Sequence, residues 1–399
     1  MLTDKQLQRY ADVLLWGLKT SRNERLKKND IILIRYDLAA IKLVEILHQK
    51  IIRMGLHPIH RLLQTPNMEK DFYSLASLRQ LTFIPPGEEE LYNNLNGTIA
   101  ILGPQSLTHL SKIDSSKIVQ SLKAKKSLRN ILDKREENSN FSWTLGMYPT
   151  KELATHAGMT EKEYANQIVN ACFLNRTDPI AQWESIFNNS QSIKKWLNQM
   201  KVKKYHIEST NTDLEITPGE QRKWIGVSGH NIPSFELFIS PDWRGTNGKY
   251  FADQPSYRSG NYVQGIRLEF KNGQVIRSSA EKGEKFLKKQ LTTDDGANKL
   301  GEFSLTDKSF SKINRFMANT LFDENYGGKY GNCHIALGAS YSDTYNGKQS
   351  DLTSEMKKEL GLNDSALHWD IVNTEKKCVT AHLMSGRKKV IYENGIFTC

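Results

Sequence analysis

The spacing of apolar residues changes partway along this chain, and that change constrains the fold more than any other feature. Up to Met200 short apolar runs alternate with helical patterns; from Val202 on, strand signals follow one another with turn residues between them. Thr3 and Asp4 cap a first helix with Leu7, Tyr10, Ala11, Leu14, Leu15 and Leu18 on one face. Ile31 to Tyr36 reads as a strand, the stretch from Asp37 to Met54 as a helix stopped by Gly55, and Pro58 to Leu63 as the strand that completes a βαβ crossover. A weaker apolar run at Leu81 to Ile84, a helix beginning near Gly87 and a strand over Gly97 to Gly103 repeat the pattern. A strand in FSWTLGMYPT and helices over Thr160 to Phe173 and Asp178 to Met200 follow, the last with Asp178 and Pro179 at N-cap and N1. Such alternation predicts an α/β domain with an open, mainly parallel sheet, Rossmann-like in kind. No GxGxxG or GxxxxGK[ST] follows any of its strands, so neither a dinucleotide nor a P-loop site is expected.

The second half predicts an α+β domain with a large, mainly antiparallel sheet. Its strand signals include YHIES, DLEIT, FELFIS, NYVQGIRLEF, EFSL, CHIALGASY, ALHWDIV, CVTAHL and KKVIYENGIF, with strong turns at Asn272-Gly273 and Asn394-Gly395. Helices are expected over Glu281 to Gln290 and around Ser309 to Asn319. The boundary is placed near residue 185, giving domains 1–185 and 186–399.

Composition bounds what such a chain does. With 399 residues, 25% of them charged and 38% hydrophobic, two ordinary globular cores are affordable. No apolar run approaches the ~20 residues that span a bilayer, and the first residues lack the unbroken apolar core of a signal peptide. Cys172, Cys333, Cys378 and Cys399 are far apart and form no CxxC, which fits a reducing compartment. A cytoplasmic protein without membrane partners is expected. The formal charge of +11 is partly concentrated between Lys112 and Arg135, where Ile118, Leu122, Leu128 and Leu132 recur at helical spacing. That run reads better as the wet face of an amphipathic helix than as a polyanion-binding stripe.

From residue 236 on, five short segments hold six potential metal ligands: Glu236, Glu302, Glu324, His334, His368 and Asp370. Four carboxylates roughly cancel the charge of two dications, and two imidazoles add neutral donors suited to zinc or cobalt. The set reads as a hydrolytic centre. His368 and Asp370 are two apart in a predicted strand, so both leave one face while Trp369 points to the other. Ten histidines among common acids produce such a pair by chance, and Glu236 alone reads more readily as an outward surface glutamate. Glu324 and His334 flank a Gly-rich loop, NYGGKYGN, which can fold back so that its ends converge.

The order NxPxxE (Asn231 to Glu236), LGE (Leu300 to Glu302), LFDEN (Leu321 to Asn325), HIALGxxY (His334 to Tyr341) and a late HxD (His368 to Asp370) resembles the M29 family of metal-dependent aminopeptidases. The resemblance implies that the six residues bind two divalent cations, zinc, cobalt or manganese, and that Glu302 bridges them and shuttles a proton. It implies that Tyr341 assists catalysis; the alternative is a packed core tyrosine. It further implies peptides with a free N-terminus as substrates and a homodimer. This sequence departs from the family in the longer loop before His334, which leaves Asp323 as a competitor of Glu324, and in Phe397 where a tryptophan is expected. Two other functions compete: a different dinuclear metallohydrolase, of phosphoesterase type, and a basic nucleic-acid-binding protein without catalysis.

Overall fold

The computed structural model describes residues 2–399. The chain divides into two compact units, Met1–Trp183 with Ser228–Ser234 and Glu184–Val227 with Phe235–Cys399. The first contains a five-stranded, wholly parallel sheet in the order His57–Leu62, Ile31–Tyr36, Gly97–Leu102, Ser142–Met147, Asn231–Ile232. Its opening helix, Asp4–Thr20, starts at Thr3, which forms a reciprocal capping box with Gln6. The helix buries Leu7, Tyr10, Leu14 and Leu18 completely or nearly so. Tyr10 Oη donates to Met147 O (2.8 Å) and accepts from Met147 N (3.0 Å), which satisfies a buried phenol and pins the helix to the fourth strand.

The last strand of that sheet comes from the short return segment 228–234, which the sequence reading assigned no such place. Two glycines permit it: a Cβ on Gly17 would lie 2.6 Å from Gly229 O, and one on Gly229 would lie 2.6 Å from Gly17 O. Leu81 to Ile84 is not a strand. Leu81 instead ends the helix Leu78–Leu81, started by the Ser77–Gln80 capping box. Pro85 and Pro86 follow at once and lack the N–H groups that a ladder needs. The basic run folds as two helices, Ser115–Ala124 and Lys126–Glu137, with Leu128 buried and Leu132 packed on the core around Leu33, Leu95 and Phe141.

The second unit holds the expected large antiparallel sheet, a smaller antiparallel sheet and a two-stranded ribbon, Ser256–Arg258 with Asn261–Val263. The larger, eight-stranded sheet runs in the order Gln274–Ser279, Ile266–Lys271, Asn247–Ala252, Asp213–Ile216, Val202–Glu208, Cys378–Leu383, Lys388–Glu393, Ile396–Phe397. The smaller has five strands: His368–Asn373, Asn332–Gly338, Leu300–Thr306, Glu236–Ile239, Ile225–Gly226. Tyr205 and Trp224 pack their rings against Phe303 at centroid distances of 5.7 and 5.4 Å. Tyr250 Oη, from the larger sheet, reaches Cys333 O and Ile371 O of the smaller one at 2.9 and 2.8 Å. Every residue of Leu300–Thr306 and Asn332–Gly338 is buried, so these central strands are covered on both faces.

The helix expected around Ser309 to Asn319 does not form; the first helix after Thr306 is the short Thr320–Asp323. Side chains take over the backbone's hydrogen bonds. Ser311 Oγ accepts from Ile313 N, and the Asp323 carboxylate accepts from Met317 N (2.7 Å) and Asn319 N (2.9 Å).

Candidate metal centre

The site is built on one face of the five-stranded antiparallel sheet of the second unit. Residues directly paired across antiparallel strands share a face, and the register pairs Glu236 with Thr306, Ser304 with His334, Glu302 with Ala336, and Ala336 with Asp370. Alternation along the strands then puts Glu302 with Ser304 and Thr306, His334 with Ala336, and His368 with Asp370 on that same face. Cys333, paired with Leu305 and Asn373, falls on the opposite one, as does Trp369, paired with Leu337. A bulge between Leu300 and Glu302 leaves Gly301 as the extra residue, where a Cβ would lie 2.3 Å from Ala339 O. The glycine lets the ligand-bearing strand kink where Glu302 leaves it.

Glu324 arrives from outside the sheet. It caps the Thr320–Asp323 helix, and its carbonyl accepts from Thr306 Oγ1 (3.0 Å) and Asn332 Nδ2 (2.9 Å), both on the central strands. The loop to Asn332 folds back as expected, with Gly327 N and Gly328 N donating to Ile313 O and Gly331 N to Gly327 O. Asp323, the competitor, turns its carboxylate to backbone N–H groups instead.

His334 Nε2 lies 3.0 Å from Glu302 Oε1, 3.2 Å from Glu236 Oε2 and 3.9 Å from Asp370 Oδ1. His368 Nε2 lies 3.3 Å from Asp370 Oδ1 and 3.8 Å from Glu302 Oε2. Two sets of donor atoms, each within 4.8 Å, result: Glu236, Glu302 and His334, and Glu302, His368 and Asp370. Glu302 belongs to both, one oxygen toward each imidazole. His368 Nδ1 donates to Ala339 O (2.8 Å), which orients the ring so that Nε2 faces the carboxylates. Glu236 is further held by Ser304 Oγ (3.0 Å).

The electrostatics describe a site short of positive charge. Burial, then the neighbouring Glu236, Asp370 and Glu302, pushes the Glu324 carboxyl well above the ordinary range. Glu236 is raised by burial and by Glu302 and Asp370, against the pull of His334. Burial opposes charge on His334 and His368, yet the surrounding carboxylates outweigh it and raise both imidazoles to about 9. Asp370 goes the other way: burial is outweighed by His368, His334 and Arg258, which hold it low. Buried acids that can ionise together only beside added cations are a donor set suited to divalent metal. His334 Nδ1 is buried without a hydrogen-bond partner, so the ring is positioned through Nε2 and the sheet rather than by its other nitrogen.

Tyr341 lies beside this cluster, its ring centroid 4.7 Å from that of His368 and 5.8 Å from that of Phe238. It is 39% exposed, which is not the burial of a core tyrosine. Ser304 and Ala339 are supporting residues that the sequence reading does not name. Ser304 had a legible signal, since it stands two residues after Glu302 in the same strand. His206, His230 and His382 lie outside the cluster, His206 against Asp213 and His230 against Glu136.

The sequence profile of the thermophilic metalloproteases (M29) matches residues 3–397. The chain belongs to that family. It is 28% identical over 357 residues to aminopeptidase AmpS of Bacillus subtilis, covering 83% of this chain and 85% of that one. It is 30% identical over 272 residues to aminopeptidase 2 of Geobacillus stearothermophilus, covering 63% and 64%. The structure of wild-type AmpT from Thermus thermophilus superposes with a TM-score of 0.82 over 100% of both chains at 23% identity, which establishes the shared fold.

Proposed function

We propose that this chain is a metal-dependent aminopeptidase that removes N-terminal amino acids from peptides, with two divalent cations held by Glu236, Glu302, Glu324, His334, His368 and Asp370. The observation that carries the reading is Glu302, which turns Oε1 to His334 and Oε2 to His368 and so joins two donor sets. Bound there, a cation pair supplies a water acidic enough to give hydroxide near neutral pH and polarises the scissile carbonyl.

The protein's own groups divide the remaining work. Glu302 stands between the two imidazoles, where a carboxylate can take a proton from a water and return it to the leaving amine. Tyr341, against His368, carries a phenol that is protonated near neutral pH and can donate a hydrogen bond to a developing oxyanion. The central strands exclude solvent from beneath and fix the carboxylates before substrate arrives. A free N-terminal amine suits an acid-rich pocket, and acylation removes it. Membership of a peptidase family does not favour the phosphoesterase or nucleic-acid reading.

The proposal includes zinc, cobalt or manganese as the cation, a homodimer and a cytoplasmic location. Four free cysteines fit a reducing compartment, and among the described residues no helix is long and apolar enough to cross a membrane. Light scattering tests the dimer. The activity is tested with matched free and N-acetylated peptides. Amino-acid release is expected from the free peptide alone, abolished by chelation, restored by added zinc, cobalt or manganese, and lost in Glu302→Gln and His368→Ala. Release that survives chelation and both substitutions contradicts the proposal.

A further inference from the structure

A charged residue outside the ligand set is tied to it. Arg258 ends the short strand Ser256–Arg258, which pairs with Asn261–Val263 in a separate two-stranded ribbon. Its Nη1 donates to the carbonyl of His368 at 2.7 Å, and its Nε approaches Gln290 Oε1 at 3.4 Å. The guanidinium also lies over the Trp369 ring, 5.8 Å from its centroid. Trp369 in turn donates from Nε1 to Ser256 Oγ at 3.0 Å. The ribbon therefore grips the His368-Trp369-Asp370 segment by its backbone and by the one side chain that faces away from the ligands.

The position of this grip matters. His368 is the first residue of an edge strand, its side chain 22% exposed, whereas His334 lies in a central strand and is 1% exposed. On the central side, ladders on both flanks fix the ligands. On the His368 side only one flank is paired, and an edge strand has free backbone groups that another element must engage. Arg258 engages the first of them. A lysine reaches the same carbonyl with a single point donor and lacks the planar face that covers an indole.

We propose that Arg258 is a positioning residue for the half of the metal centre made by His368 and Asp370: it fixes the start of their strand so that both donors meet the cation they share with Glu302. The inference rests on the two-cation reading above. It predicts an asymmetric defect, in which loss of Arg258 weakens the cation on the His368 side and leaves the Glu236–His334 side intact.

The test is cobalt(II) titration of the full-length, chelator-stripped protein, followed by visible absorption and by equilibrium dialysis. Wild type is expected to take two ions in two resolvable steps. Arg258→Met should keep one step unchanged and weaken the other by about 10- to 100-fold, the usual consequence of removing an outer-shell partner, with an altered cobalt band for that step. Arg258→Lys should recover part of the loss, since it restores a donor to the His368 carbonyl, and it carries the test if Arg258→Met does not fold. Two unchanged steps in the folded variants overturn the inference. So does tighter binding in Arg258→Met, which would make the residue a repelling charge, or an equal loss at both steps, which would make it a general support. A wild-type protein that binds fewer than two ions contradicts the two-cation reading itself and is distinguished by the unmutated control.

Discussion

Asp323 and Glu324 are adjacent buried carboxylates, and their hydrogen bonds separate their tasks. Asp323 accepts from Met317 N and Asn319 N and shapes the loop, while Glu324 has its carbonyl anchored to Thr306 and Asn332 and its carboxylate among the ligands' charges. Asp323→Asn is expected to cost about 1–3 kcal/mol of stability, because one of two buried N–H groups loses its acceptor, while activity per folded molecule persists. Glu324→Gln is expected to do the reverse, keeping or raising the thermal midpoint of the metal-free protein and losing activity. Calorimetry and peptide hydrolysis on both variants decide it; interchanged outcomes contradict the assignment. Sequence periodicity was enough to put His368 and Asp370 on one face. It could not choose between Asp323 and Glu324, because that choice depends on where the loop backbone donates. Nor could it find Arg258, whose contact with His368 spans 110 residues of sequence and two different sheets.

Elements with regular periods and standard caps were legible: the Thr3-capped helix, Ile31–Tyr36, Gly97–Leu102 and the hairpin at Asn272-Gly273, where both residues take the positive φ such a turn requires. The misses share a cause. Asn247–Ala252, central in the large sheet, carries glycine, asparagine and lysine and no clean alternation, yet buries Tyr250 to 1% exposure. Ser309 to Asn319 has helical spacing but is held by the Ser311 and Asp323 side chains. Tertiary contacts outweigh local preference in both cases. At the same scale, Gly331 opens the strand that carries His334. It has φ +60°, and a Cβ there would lie 2.0 Å from Tyr392 Oη and 2.5 Å from Thr306 O. Gly331→Ala should cost about 1–3 kcal/mol through backbone strain and weaken cation binding together with stability. A variant with wild-type thermal midpoint and metal affinity contradicts the view that this tight entry places His334.

At the scale of the whole molecule, cation binding at this site is expected to stabilise the second unit. Its acids are buried close together, so without cations they are neutralised by protons on Glu236 and Glu324 and by the charged His334 and His368, and bound cation is expected to stabilise the folded state over the unfolded one. Chelation is therefore expected to lower the thermal midpoint, and added cation to restore it in a concentration-dependent way. A midpoint indifferent to chelation contradicts this. The central claim, that one carboxylate joins two cation sites on a single sheet face, is tested most directly by anomalous diffraction from crystals grown with cobalt. Two peaks flanking the Glu302 carboxylate are expected, one beside Glu236 and His334 and the other beside His368 and Asp370. A single peak, or peaks away from Glu302, would contradict it.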